Sequence, residues 1–223
     1  MARKKLKKIR EVSLLPNVFE LLPGQSDVAL DEYFGNRNRL TLEIGCGRGD
    51  YSRALAKCHP SRNFVGVDVK GARLWTGARM AVAEGSTNVA FLRARAEELD
   101  SYFQPGRIEE LWIPFPDPFP KKRGQKRRVT APGFLKIYSG LLVPDGKVHL
   151  KTDDTTFWEF TLEQLKSRNL PLFERVEDLY ASNIDGPAAN IQTKYEEAHL
   201  AAGKTIMYVC FGFRGKGRSG GTG

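Results

Sequence analysis

Cysteine is scarce in this 223-residue chain: Cys46, Cys58 and Cys210 are far apart and odd in number. A disulfide framework is thereby excluded, and no paired spacing suggests a zinc site. His59, His149 and His199 show no ligand spacing either, so no metal is expected. No stretch approaches the roughly 18 apolar residues of a membrane span. Met1 opens on a basic run with no apolar segment behind it, so no secretory signal is expected. A reducing, cytoplasmic setting is the simplest reading. Core-forming residues are plentiful, at 41% hydrophobic and 10% aromatic. That suits one globular domain with appendages.

Acids are missing from two short segments. Residues 1–10 carry Arg3, Lys4, Lys5, Lys7, Lys8 and Arg10, and residues 121–128 carry Lys121, Lys122, Arg123, Lys126, Arg127 and Arg128. These twelve account for all of the formal +9; without them 23 basic residues face 26 acidic ones. A slightly acidic body with two concentrated cationic patches favours a polyanion partner, because clustered Lys and Arg displace counterions from phosphates. A basic terminal run can also be merely solvated. The second run adjoins the chemical motif described below, which gives it the stronger claim to a function.

Strand-like and helix-like segments alternate. Strands are expected at 40–44, 63–69, 88–94, 108–113, 146–152, 173–179 and 205–213. Helices are expected at about 50–58, 72–84, 96–103, 132–142 and 155–166, with a short one from Thr193. Strands separated by 10–15-residue helical segments imply βαβ units, hence an α/β fold with a mostly parallel, doubly wound sheet of about seven strands. The last two strands are joined by a loop and a short helix, so one of them is expected to run antiparallel. Residues 1–20 read as a basic arm, 21–213 as the domain, and 214–223 as a glycine-rich flexible tail.

Leu42-Glu43-Ile44-Gly45-Cys46-Gly47-Arg48-Gly49 closes the first of these strands, where open α/β sheets bind ligands. The glycine spacing is not that of a dinucleotide fingerprint. Glu43 would repel a pyrophosphate but suits the amino group of a zwitterion. Asp68 ends the second strand, where an acid accepts ribose hydroxyls. Together these residues resemble the S-adenosylmethionine site of Rossmann-like methyltransferases. An NAD site, or a tight turn beside two solvated acids, is the alternative. Such methyltransferases often carry an acid after the third strand to reach adenine. Here that residue is Arg95, which offers donors only, so the contact is expected from the backbone near Ala96 or from Glu97.

"WIPFPDPFPKKRGQKRR" (112–128) follows the fourth strand. Prolines stiffen the loop around Asp117, and the basic run comes directly after it. A rigid carboxylate beside a phosphate-binding run suggests a nucleobase held by its backbone.

With "LEIGCGRGDY" (42–51), "FVGVDVKGARLW" (64–75), "PFPDPFPKKR" (114–123), "LKTDD" (150–154) and "TKYEEAHLAAGKTIMYV" (193–209), the chain is similar to bacterial tRNA (guanine-N7-)-methyltransferases. Many members have Trp where Phe119 stands. The resemblance implies a Rossmann-like methyltransferase fold and methyl transfer from S-adenosylmethionine to a tRNA guanine, the variable-loop one. It places Glu43, Gly45, Gly47, Asp68 and Asp117 at the cofactor, with Asp117 the catalytic residue. Lys121, Asp153, Thr193, Lys194, Tyr195 and Glu196 match substrate-binding positions. tRNA is the implied partner, with no membrane, and with the enzyme a monomer or a homodimer.

Structural readings of the same residues stand beside these. Asp153 or Asp154 can cap the following helix. Thr193 and Glu196 form a capping box, and Tyr195 fits core packing. His149 lies inside a strand and reads as structural. The rival functions are methylation of a nucleobase amino group, a small-molecule methyltransferase, and a non-catalytic RNA-binding module. The clustered basic residues argue against the second, and the intact Glu43, glycines and Asp68 against the third.

Overall fold

The computed structural model describes residues 2–214; the tail expectation for 215–223 lies outside the described residues. In chain order the elements are α1 (Ala2–Glu11), β1 (Val18–Phe19), α2 (Ser26–Phe34), β2 (Leu40–Ile44), α3 (Asp50–Cys58), β3 (Asn63–Val67), α4 (Gly71–Ala83), β4 (Val89–Leu92), α5 (Leu99–Tyr102), β5 (Ile108–Pro114), α6 (Pro132–Leu141), β6 (Leu142–Thr152), α7 (Thr155–Ser167), β7 (Leu172–Val176), α8 (Pro187–Asn190), α9 (Lys194–Ala201) and β8 (Met207–Gly212).

The strands form one sheet in the order β1-β4-β3-β2-β5-β6-β8-β7. Every pairing from β1 to β6 is parallel, while β8 runs antiparallel to both of its neighbours. The antiparallel strand anticipated near the end is therefore β8. The eighth strand, β1, is a two-residue edge piece on β4. Successive crossovers build outward from β2 in one direction and from β5 in the other. Their junction is the topological switch point, so the carboxyl ends of β2 and β5 open a crevice between them.

Period-two alternation divides the core. Leu40, Leu42 and Ile44 of β2 join α6 residues Phe134, Leu135 and Tyr138 on one face. Tyr51 and Leu55 of α3, with Leu74 and Ala78 of α4, pack on the other. Glu43 points to that second face, towards α3. Residues 1–20, expected as an arm outside the domain, are partly built into it. Val12 and Val18 are buried in the α3/α4 layer. Lys8 Nζ donates to Thr76 Oγ1 (2.9 Å) and sits over the Trp75 ring. Burial of Val12 and Val18 sets these residues apart from a solvated arm.

Candidate active site

The glycine loop after β2 bends through three positive φ values, at Gly45, Gly47 and Gly49 (70°, 58° and 62°). Their physical reasons differ. A side chain built on Gly45 would meet nothing within 4 Å, so its absence leaves open space facing the crevice. One built on Gly49 would lie 2.4 Å from the Phe91 ring, so that glycine serves packing. Asp68, at the end of β3, holds the loop. Its Oδ2 accepts from the Gly47 N–H (2.9 Å) and its Oδ1 from the Lys70 N–H (2.8 Å). Each oxygen keeps a further lone pair for a ligand hydroxyl.

Glu43 is only 3% exposed. Its Oε2 accepts from both the backbone N–H and the hydroxyl of Ser52 (2.8 and 2.7 Å). Burial pushes its carboxyl up to about 7, against the lowering effect of those bonds. It borders a cavity of about 240 Å³ shared with Gly45, Gly47, Arg73, Thr193 and Tyr195. A second cavity, of about 260 Å³, is lined by Gly45, Asp68, Ala96, Glu97, Phe115 and Asp117 among others. Gly45 and Arg73 border both, so the two form one elongated cleft. Arg95 is turned outward, its Nε 4.0 Å from Glu97, and does not line the cleft. Ala96 and Glu97 occupy the wall in its place.

Asp117 is exposed on the cleft wall, in a strained loop. Phe115 and Phe119, on either side of it, have φ of 52° and 42°. Bulky residues rarely adopt such angles, and they persist only where the surroundings over-determine them. The Phe115 N–H donates to the Lys151 carbonyl of β6 (2.9 Å), tying the loop to the sheet. Residues Lys122–Arg127 form a 3-10 turn whose Lys122, Arg123 and Lys126 are exposed, and Lys121 precedes it. Arg127 stacks over Phe119 at 4.2 Å. Arg128 departs from the expectation for the run. It is 1% exposed and cannot meet a phosphate as it stands.

Two capping questions are settled by geometry. Asp154, not Asp153, caps α7, accepting from the Phe157 N–H (2.7 Å). Thr193 and Glu196 form the reciprocal capping box of α9. Glu196, expected at the substrate, is wholly buried and ion-paired with buried Lys151 beneath the segment that carries Lys194 and Tyr195. Its Oε1 also accepts from the Tyr180 hydroxyl (2.6 Å). Asp153 Oδ2 accepts from His199 Nδ1 (2.8 Å) and Lys204 Nζ (2.6 Å). Burial acts to raise its pKa, but Lys204 and His199 outweigh it and hold the carboxyl below its usual range. His199 in turn stacks on Tyr195 (3.9 Å), which tilts against Phe115 (5.2 Å). Tyr195 is 49% exposed rather than core. Asp153 is thereby joined through His199 to Tyr195, which lines the cleft. His149 is structural: it stacks on Trp112 (4.1 Å), is hydrogen-bonded to the Tyr208 hydroxyl, and burial lowers its pKa to about 4.

A family model described as "Putative methyltransferase" matches residues 37–209. The tRNA (guanine-N(7)-)-methyltransferase of Porphyromonas gingivalis is 42% identical over 182 residues, 81% of this chain and 74% of that one. The Cytophaga hutchinsonii protein of the same name is 38% identical over 96% of this chain and 99% of its own. This chain belongs to the tRNA (guanine-N7-)-methyltransferase family. In fold, this family member is similar to the 16S rRNA methyltransferase KamB, with TM-score 0.65 at 15% identity over 89% of this chain and 98% of that one.

Within this member of the family, several contributors carry no local sequence mark. His199 had no ligand spacing, yet it supports Tyr195. The positive φ at Phe115 and Phe119 has no glycine to announce it.

Proposed function

We propose that this chain transfers the methyl group of S-adenosylmethionine to N7 of a guanine in tRNA, in the cytoplasm, with the variable-loop guanine as the target. The observation that carries the reading is Asp117 on the wall of the cleft that Glu43 and Asp68 border, next to exposed Lys121, Lys122 and Arg123. The cleft fits a sulfonium nucleoside. Gly45 leaves room for it, Asp68 has lone pairs for ribose hydroxyls, Ala96 and Glu97 stand at the adenine end, and Glu43 is a carboxyl for an ammonium group. When bound, S-adenosylmethionine supplies an electrophilic methyl carbon.

Guanine N7 carries an in-plane lone pair in the neutral base, so no general base is needed. Catalysis by the protein is then alignment and electrostatics. Asp117 accepts hydrogen bonds from guanine N1–H and the amino group, and its charge favours the cationic ring that N7 methylation creates. Tyr195 and Phe115 offer an aromatic wall for the base. Lys121 and Lys194 neutralise backbone phosphates, Thr193 orders the turn that carries Lys194 and Tyr195, and Asp153 holds Tyr195 through His199. Glu196 serves the same segment from beneath. The base leaves its stack to enter the cleft.

Labelled-methyl transfer to unmodified bulk tRNA, followed by nucleoside identification, tests this. N7-methylguanosine is the expected product. A methylated adenine amino group would replace this reading with the amino-group alternative. Cofactor binding by calorimetry without any transfer would favour a non-catalytic RNA-binding role.

A further inference from the structure

Six cations follow Asp117, and one of them is placed unlike the rest. Arg128 heads the fully buried side chains of the described residues by volume. No carboxylate lies within salt-bridge distance of it among those residues. Its guanidinium instead donates from Nε to the Pro118 carbonyl (2.9 Å) and from Nη2 to the Phe119 carbonyl (3.3 Å). The ring of Phe160, on α7, lies 4.6 Å beneath the guanidinium carbon. A buried cation without a counter-charge is costly, and this one is satisfied only by two peptide oxygens and an aromatic face.

Those oxygens belong to the two residues after Asp117, one of them the positive-φ Phe119. We infer that Arg128 is a positioning residue: it clamps the 118–119 peptide units from within the fold and so holds the strained loop that presents Asp117 to the cleft, rather than binding tRNA phosphate. Two features make arginine specific for the task. Its planar fork reaches two carbonyls at once, and its flat face stacks on Phe160, whereas a lysine ammonium does neither in that geometry. Arg127, one residue earlier, grips the other side of the loop through the Phe119 ring.

The inference rests on Asp117 being the catalytic carboxylate, and the experiment separates the two claims. Arg128→Lys, Arg128→Ala and Asp117→Asn are compared in steady-state methyl transfer with tRNA varied, in cofactor affinity by calorimetry, and in the salt dependence of tRNA binding. Arg128→Lys keeps the charge, so the salt slope stays at the parent value. Misplacing Asp117 by about an ångström lowers kcat about a hundredfold, with KM for tRNA and cofactor Kd within about threefold. Soluble ethylguanidinium restores kcat to Arg128→Ala, and ethylammonium does not. Lys126→Ala, on the exposed side of the same turn, instead raises KM and reduces the salt slope by roughly one ion.

The proposal is overturned by undiminished kcat in Arg128→Lys, by a loss carried in KM and salt slope, or by a variant that loses cofactor binding together with turnover. If Asp117→Asn retains full turnover, the reading of Asp117 fails. If Asp117→Asn is impaired while Arg128→Lys is not, the clamp alone fails.

Discussion

Replacing Glu196 by Gln removes one charge from a wholly buried pair. Lys151 Nζ faces Glu196, the Tyr51 hydroxyl (3.1 Å), the Ala188 carbonyl (2.7 Å) and the Ile191 carbonyl (3.4 Å). Three donors therefore have four acceptors, and the ammonium keeps enough hydrogen bonds when the carboxylate goes. What it loses is its counter-charge. Burial already lowers the Lys151 pKa, with Glu196 opposing. In the variant, either an uncompensated ammonium stays buried or the lysine gives up its proton. Removing one partner of such a pair costs about 3–5 kcal/mol. With the hydrogen bonds largely retained, the lower end applies, about 3 kcal/mol, and at roughly 2–4 °C per kcal/mol for a chain of this size the midpoint falls by about 6–12 °C. Urea and thermal unfolding of Glu196→Gln, Lys151→Met and the double variant form the assay. The single changes are expected to be strongly non-additive, since each abolishes the same pair. A Glu196→Gln loss below about 1 kcal/mol would refute a charged pair at this position.

Other expectations follow from the site. Asp117→Asn should lower kcat by about a hundredfold or more, with cofactor affinity nearly unchanged, in single-turnover transfer and calorimetry. Glu43 has its carboxyl raised from 4.5 to about 7 by burial, so between those values the folded protein holds a proton that the unfolded chain has released. Stability of the ligand-free protein should therefore fall by about 3 kcal/mol as pH rises from 4.5 to 7 and then level off. Glu43→Gln should flatten that part of the urea-unfolding profile; an unchanged slope would assign the effect elsewhere. Neutralising Lys122, Arg123 and Lys126 together should reduce the salt slope of tRNA affinity by roughly two to three ions in filter binding. The same replacement of exposed Lys5, Lys7 and Arg10 on α1 should reduce it as well if that helix touches the tRNA backbone, and leave it untouched if it does not.

The half of the cleft that Glu43, Gly45 and Asp68 border was legible because its signals are local. Glycines needing positive φ, an acid two places before them and another at the next strand end sit within one βαβ unit. The capping box at Thr193 was equally readable, since both partners lie within one helical turn. Contacts between distant segments were not readable. Arg128 looks like its five neighbours in the run, and the loop carbonyls of Pro118 and Phe119 together with Phe160, 32 positions away on α7, make it different. Glu196 reads as the capping partner of Thr193, and its burial is hidden until Lys151 arrives from β6. Strand β1 has two residues, too few to show any alternation.

Strand β8 lies between β6 and β7 and pairs residues as far apart as Lys147 and Gly212. On the ribosome, the crossovers around β2, β3 and β4 use neighbouring stretches and can assemble early. By contrast β6, which carries Lys151 and leads into Asp153, keeps a bare edge until nearly all of the described chain has emerged. The half of the sheet that carries Glu43 and Asp68 thus matures before the half that carries Lys151, and a polypeptide interrupted ahead of Met207 would be left with an adhesive flank along β6.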